Sequence, residues 1–145
     1  MLPVYIGADH AGFILKEYLK IRLNEAGYTF EDVGCYSQES VDYPNFAERA
    51  CKAIQEGKAE NGILVCGSGE GMVMSANKFS GIRAGLAWNA EIAGLLKKHN
   101  KAQVICFGAR FTAPDYAWTM VETFLTSKFD GGNHARRVDI MDSFC

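Results

Sequence analysis

The sequence predicts an α/β protein, with a parallel sheet held between layers of helices. Three observations carry that prediction. Short runs rich in β-branched and aromatic residues alternate with longer segments whose apolar residues recur at helical spacing. Ile63-Leu64-Val65-Cys66 is apolar without alternation, the pattern of a strand covered on both faces. The chain has 145 residues, 48% hydrophobic and 22% charged, enough for one domain that buries about two-thirds of its unfolded surface. The expected architecture is a three-layer α/β/α sandwich around a five-stranded parallel Rossmann-like sheet, with residues 1–145 forming a single domain.

Each element follows from the chain in order. Val4-Tyr5-Ile6 forms the first strand and leads into Gly7-Ala8-Asp9-His10. A helix follows, with Phe13, Ile14, Tyr18, Leu19, Ile21 and Leu23 on its apolar stripe and Gly27 as its C-cap. Residues 28–33 read as a second strand, ended by Gly34. Tyr43-Pro44-Asn45 opens a helix carrying Phe46, Ala47, Ala50 and Ile54, which stops near Gly57. The apolar 63–66 run is the third strand, with a helix expected over 72–78. Residues 82–87 read as the fourth strand, 90–98 as a helix with a basic last turn, and 103–107 as the fifth strand. Pro114 sits at a helix start, with Trp118, Val121, Phe124 and Leu125 on the stripe behind it.

Composition narrows the function. Fifteen basic against 17 acidic residues leave a formal charge of −2, which is no electrostatic footprint for nucleic acid. No apolar run approaches the roughly 20 residues a membrane span needs, and the first residues lack the basic and long apolar regions of a signal peptide. The five cysteines, Cys35, Cys51, Cys66, Cys106 and Cys145, are odd in number and form no C-x-x-C pair. They read as free thiols in a reducing, cytoplasmic setting, without a disulfide framework or a zinc cluster.

In parallel sheets ligands bind outside the carboxyl ends of the strands, so the residues just past each strand matter most. Here these are Asp9 and His10, the loop 66–71, and Arg110. Cys66-Gly67-Ser68-Gly69-Glu70-Gly71 is the most informative stretch. Alternating glycines between a strand and a helix let backbone amides turn toward one point, which suits an oxyanion or a phosphate. The Walker and dinucleotide fingerprints do not fit, and a C-x5-R phosphatase loop would need arginine where Met72 stands. Cys66 is either a small buried hydrophobe or a reactive thiol, since amides and a helix start both favour thiolate. Beside a cradle of donors, a thiolate can attack an acyl or phosphoryl centre, or move a proton α to a carbonyl while the amides hold the enolate. Spacing alone leaves both open.

Several ordered motifs together resemble one family. Gly7-Ala8-Asp9-His10-Ala11-Gly12, Asp42-Tyr43-Pro44, the 66–71 loop, Ala76-Asn77-Lys78, Gly81-Ile82-Arg83-Ala84, His99-Asn100, Phe107-Gly108-Ala109-Arg110 and Gly131-Gly132-Asn133-His134-Ala135-Arg136-Arg137-Val138 are similar to ribose-5-phosphate isomerase type B, a group that includes the galactose-6-phosphate isomerase subunits. The resemblance implies a cofactor-free, metal-independent aldose–ketose isomerase of the pentose phosphate pathway, working through a cis-enediolate on a small sugar phosphate. It implies Cys66 as the proton-transferring base and the amides of Gly67, Gly69 and Gly71 as the enediolate cradle. Other members use a glutamate at the place of Met72, and Glu70 does not match it.

The same resemblance assigns Ser68 and His99 to ring opening, Asp9 to the sugar ring and Asn100 to substrate hydroxyls. His10, Arg110 and Arg137 resemble a phosphate clamp, whose guanidinium groups bind bidentately. Many members carry arginine where this chain has Asn133; Arg136 either replaces it or stands on an exposed helix face. The family's homodimers, or dimers of dimers, share active sites between subunits. Ile140, Met141 and Phe144 form an apolar tail that fits either a partner or the parent domain. The alternatives are an isomerase of a six-carbon sugar phosphate (galactose 6-phosphate or allose 6-phosphate), a non-catalytic sugar-phosphate or nucleotide module, and the cysteine phosphatase that Met72 weakens.

Overall fold

The computed structural model describes residues 1–145. Five strands, β1 (Val4–Ala8), β2 (Phe30–Asp32), β3 (Gly62–Cys66), β4 (Ala84–Leu86) and β5 (Val104–Gly108), form one all-parallel sheet in the order β2-β1-β3-β5-β4. The three central strands, β1, β3 and β5, are almost wholly buried, as their unbroken apolar runs require; the edge strands β2 and β4 have three residues each. Helices α1 (Phe13–Glu25), α4 (Ala90–Lys98) and α5 (Pro114–Thr126) pack on one face around Ile6, Val65, Ile105 and Phe107. Helices α2 (Tyr43–Gln55) and α3 (Glu70–Ala76) cover the other around Leu64, Val104 and Cys106. The result is the three-layer sandwich the sequence implies. α6 (Asn133–Asp142) closes the chain.

Three local expectations are corrected. β2 and β4 are shorter than the 28–33 and 82–87 runs suggest, because an edge strand pairs on one side only. α3 begins at Glu70, inside the glycine loop, rather than at position 72. On α1, Ile14 and Ile21 are exposed, 63% and 61%, while Lys16 is fully buried. The Lys16 ammonium donates to Asp32 Oδ2 at 2.5 Å, and Lys20 donates to the same oxygen at 2.8 Å. Burial pushes the Asp32 carboxyl upward, yet bonds from Lys16, Lys20 and the Gly34 amide outweigh it and hold it below the usual carboxylate range.

The two halves of the sheet run outward from the β1/β3 boundary, which is therefore its topological switch point. The crevice there lies between the residue after β1, Asp9, and the loop after β3.

Candidate active site

A cleft of about 520 Å³ opens at this crevice, lined by Asp9, Tyr43, Cys66, Gly67, Ser68, Glu70, Gly71, Met74, Arg110 and Phe111. The structure brings Asp9, the glycine loop and Arg110 together, as their places after β1, β3 and β5 imply. Sequence reasoning misses Tyr43, whose ring lies so close over Gly71 that a Cβ there would meet ring carbon at 2.5 Å.

The loop is shaped by backbone packing. Gly69 has φ +82°, a left-handed conformation suited to glycine, and starts α3. A Cβ on Gly108 would fall 2.5 Å from the Ser68 carbonyl oxygen, so β5 and the loop touch backbone to backbone. The Arg110 amide donates to Gly67 O at 3.1 Å, and its guanidinium lies over Gly67, 2.9 Å from where a Cβ would be. Within the loop, the Glu70 amide donates to Ser68 Oγ at 3.3 Å. The amides of Gly67, Ser68, Gly69 and Gly71 donate to no protein acceptor. Four free donors thus stand beside the Cys66 thiol, which is 4% exposed and ends β3.

Asp9 Oδ1 accepts from the Gly12 amide at 3.0 Å and caps a 3-10 turn, which fixes its carboxylate at the cleft wall. His10 lies in that turn. Its Nδ1 accepts from the Val41 amide at 3.2 Å, so a neutral ring carries its proton on Nε2. Cys106 neighbours Cys66 on the same face of the sheet but is fully enclosed, and burial pushes its thiol well up. Of these two adjacent buried cysteines, Cys66 lines the cleft and Cys106 does not.

His99, Asn100, Arg136 and Arg137 are elsewhere. α4 runs back from the carboxyl edge, so its C-cap His99 reaches the amino edge, where Arg83, just before β4, takes the Asn100 carbonyl at 2.9 Å. The length of a five-residue strand, about 15 Å, separates this group from Cys66. His99 stacks on His134 with centroids 4.1 Å apart and 9° between planes, and its Nε2 is 3.9 Å from Asp130 Oδ2. The donors of His99, Asp130 and His134 lie within 4.8 Å of one another. Zinc bound at about 2.1 Å needs ligand atoms closer together, with lone pairs that converge rather than run parallel. Arg136 and Arg137 are exposed on α6 and form no ion pair. The apolar tail does not pack on its own domain: Ile140, Met141 and Phe144 are 53%, 39% and 78% exposed. No helix is long and apolar enough to cross a membrane.

Comparison with known proteins matches this geometry to a family. Residues 4–141 match the family described as Ribose/Galactose Isomerase. Ribose-5-phosphate isomerase B of Escherichia coli is 38% identical over 139 residues, covering 96% of this chain and 93% of that protein. A D-erythrulose-4-phosphate isomerase of Pectobacterium atrosepticum is 39% identical, with 96% and 92% covered. The crystal structure of a ribose 5-phosphate isomerase from Thermotoga maritima superposes with a TM-score of 0.96 at 42% identity, covering 98% of each chain. With the fold, the loop and nearly the full length in common, the chain belongs to the ribose/galactose isomerase family.

Proposed function

We propose that residues 1–145 act as one sugar-phosphate isomerase domain that interconverts ribose 5-phosphate and ribulose 5-phosphate in the cytoplasm, as a step of the pentose phosphate pathway. The observation that carries this reading is the Cys66 thiol beside four amides without acceptors. Names of the relatives in Escherichia coli and Thermotoga maritima support the five-carbon substrate. The free state of all five cysteines supports a reducing compartment.

Ser68 and His99 open the furanose, with Asp9 at the sugar ring. The Cys66 thiolate then takes the proton from C2 of the open aldose. The C–H electrons form the C1–C2 double bond, and the carbonyl electrons move to O1, where the amides of Gly67, Gly69 and Gly71 meet the growing charge. A proton passes from O2 to O1 and the Cys66 thiol returns its proton to C1, leaving a ketone at C2. This route needs no redox partner, and the amides do the polarising that a metal would do.

His99, Asn100, Arg136 and Arg137 stand at the far edge of their own sheet, so a second copy supplies them to each cleft, together with the His10 and Arg110 of the first. The unpacked tail residues of α6 suit such a dimer.

Proton NMR in D2O tests both claims. Ribose 5-phosphate should convert with deuterium entering at C1, because the Cys66 thiol proton exchanges with solvent before it is returned, whereas conversion of only galactose 6-phosphate or allose 6-phosphate would change the substrate. Cys66→Ala and His99→Asn proteins should each lose about 10³-fold in turnover. Mixed and re-associated, they should regain about a quarter of wild-type activity, because half the dimers then hold one intact site in two. No recovery in a confirmed mixed dimer would refute site sharing.

A further inference from the structure

α6 is attached to the molecule by very little apolar packing. Val138 is its one buried side chain. Yet it carries Arg136 and Arg137, whose usefulness depends on where the helix sits. Two polar fixtures hold it. At its first turn His134 stacks on His99. At its last turn both oxygens of Asp142 accept from Arg83 Nη1, at 2.8 and 2.7 Å.

Arg83 is 11% exposed at its side chain, and its remaining nitrogens reach a different segment. Nε donates to Asn100 O at 2.9 Å and Nη2 to Lys101 O at 2.9 Å. One planar guanidinium therefore joins the loop that carries His99 and Asn100 to the helix that carries both arginines. Lys101 is the one non-glycine residue with positive φ, 47°. That conformation is strained for a residue with a side chain and persists where neighbours hold it, as Arg83 does here.

We propose that Arg83 and Asp142 form a positioning clamp, which fixes the arginines of α6 relative to His99 and Asn100 so that phosphate and sugar ring are met by one rigid unit. This rests on the reading of Arg136 and Arg137 as phosphate ligands. Arg83 touches no substrate. Lysine cannot replace it, because a single ammonium does not reach a carboxylate and two carbonyls in one plane.

The test uses the full-length dimer and three variants: Asp142→Asn, Arg83→Lys and, as a control for plain loss of stability, Ile54→Ala on α2. Hydrogen exchange is followed by mass spectrometry over residues 97–104 and 133–145, beside kcat and KM for ribose 5-phosphate. Asp142→Asn should speed exchange only in 133–142 and raise KM about tenfold, with kcat within about twofold of wild type. Arg83→Lys should speed exchange in both segments and lower kcat as well. Ile54→Ala should alter neither segment selectively, nor KM. Wild-type exchange over 133–142 in folded Asp142→Asn, or an unchanged KM, would overturn the clamp. If the wild type turns over no sugar phosphate, the isomerase reading fails by itself, and the exchange data still decide whether the clamp exists.

Discussion

The Cys66 loop and α6 sit at opposite ends of one sheet, and different physics holds each in place. At the carboxyl edge, backbone lies against backbone: Gly108 on Ser68, Gly69 on the end of β5, and Gly12 so close to Val65 that a Cβ would meet its carbonyl oxygen at 2.5 Å. At the amino edge, long cationic side chains grip carbonyls. Arg83 takes those of Asn100 and Lys101, and Lys97 takes that of Ala102 while also bonding Asn61. The first arrangement sets the loop mainly by backbone contact and suits donors that must meet a developing charge without reorganising. The second can be loosened one bond at a time. On the proposed reading, proton transfer falls to the rigid end, and the adjustable end adds its arginines to a phosphate clamp that His10 and Arg110 begin.

The largest effect expected from breaking this contrast is at the backbone contact. In Gly108→Ala the new methyl has only the Ser68 backbone to push against, at 2.5 Å, so relief must come from moving the loop. Loss of stability of roughly 3 kcal/mol is expected, with kcat falling in whatever protein remains folded. Chemical denaturation and steady-state kinetics measure both. Wild-type stability and turnover would show that the loop yields more readily than its packing implies.

Next in size is the far edge. Arg137→Ala removes an exposed guanidinium without an intramolecular partner, so folding should be unaffected. KM should rise about 30-fold with little change in kcat, since phosphate binding is lost equally in ground and transition states. An unchanged KM would mean that Arg110 and His10 hold the phosphate without it.

How legible each edge was in the sequence follows from the same contrast. The carboxyl edge could be read because its signals are local: a buried strand, three alternating glycines, and a polar residue after β1. The bounds of α4 are local too: lysines in the last turn mark its end, and in the structure Asn89 caps its start, accepting from the Ile92 amide. What could not be read depends on partners distant in sequence. Lys16 looks like a surface lysine until Asp32 comes to it from β2, and Ile14 and Ile21 look like core until the helix turns to bury that lysine. Tyr43 lies over Gly71 only because α2 and α3 share a face of the sheet. Arg83 lies within Gly81-Ile82-Arg83-Ala84, and nothing local says that it reaches α6. The place of His99 had a signal in the order of elements: a helix over 90–98 that follows a parallel strand runs back to the amino edge, which puts half of the candidate site on the opposite edge.

The smallest expected effect probes what gripping carbonyls with cations costs. Burial pushes the Lys97 ammonium down to about 8 from an ordinary 10.5, against the opposing pull of Glu60. The folded chain therefore releases this proton before the unfolded chain does. Below about pH 8 both states are charged and the full desolvation cost is present. Between about 8 and 10.5 the unfolded chain binds more protons, so stability rises with pH, and above 10.5 the cost is gone. Lys97→Met removes that dependence together with the bonds to Asn61 and Ala102. The slope of the stability difference, rather than its absolute value, is then the quantity to follow. Wild type should gain on Lys97→Met by on the order of 1 kcal/mol from pH 8 to 10.5, water at the partly exposed ammonium keeping the gain modest. Denaturant titrations across that window decide it. A flat difference would mean that the bonds to Asn61 and Ala102 compensate the ammonium for the water it has lost, and the amino edge would then be as firmly set as the glycine loop.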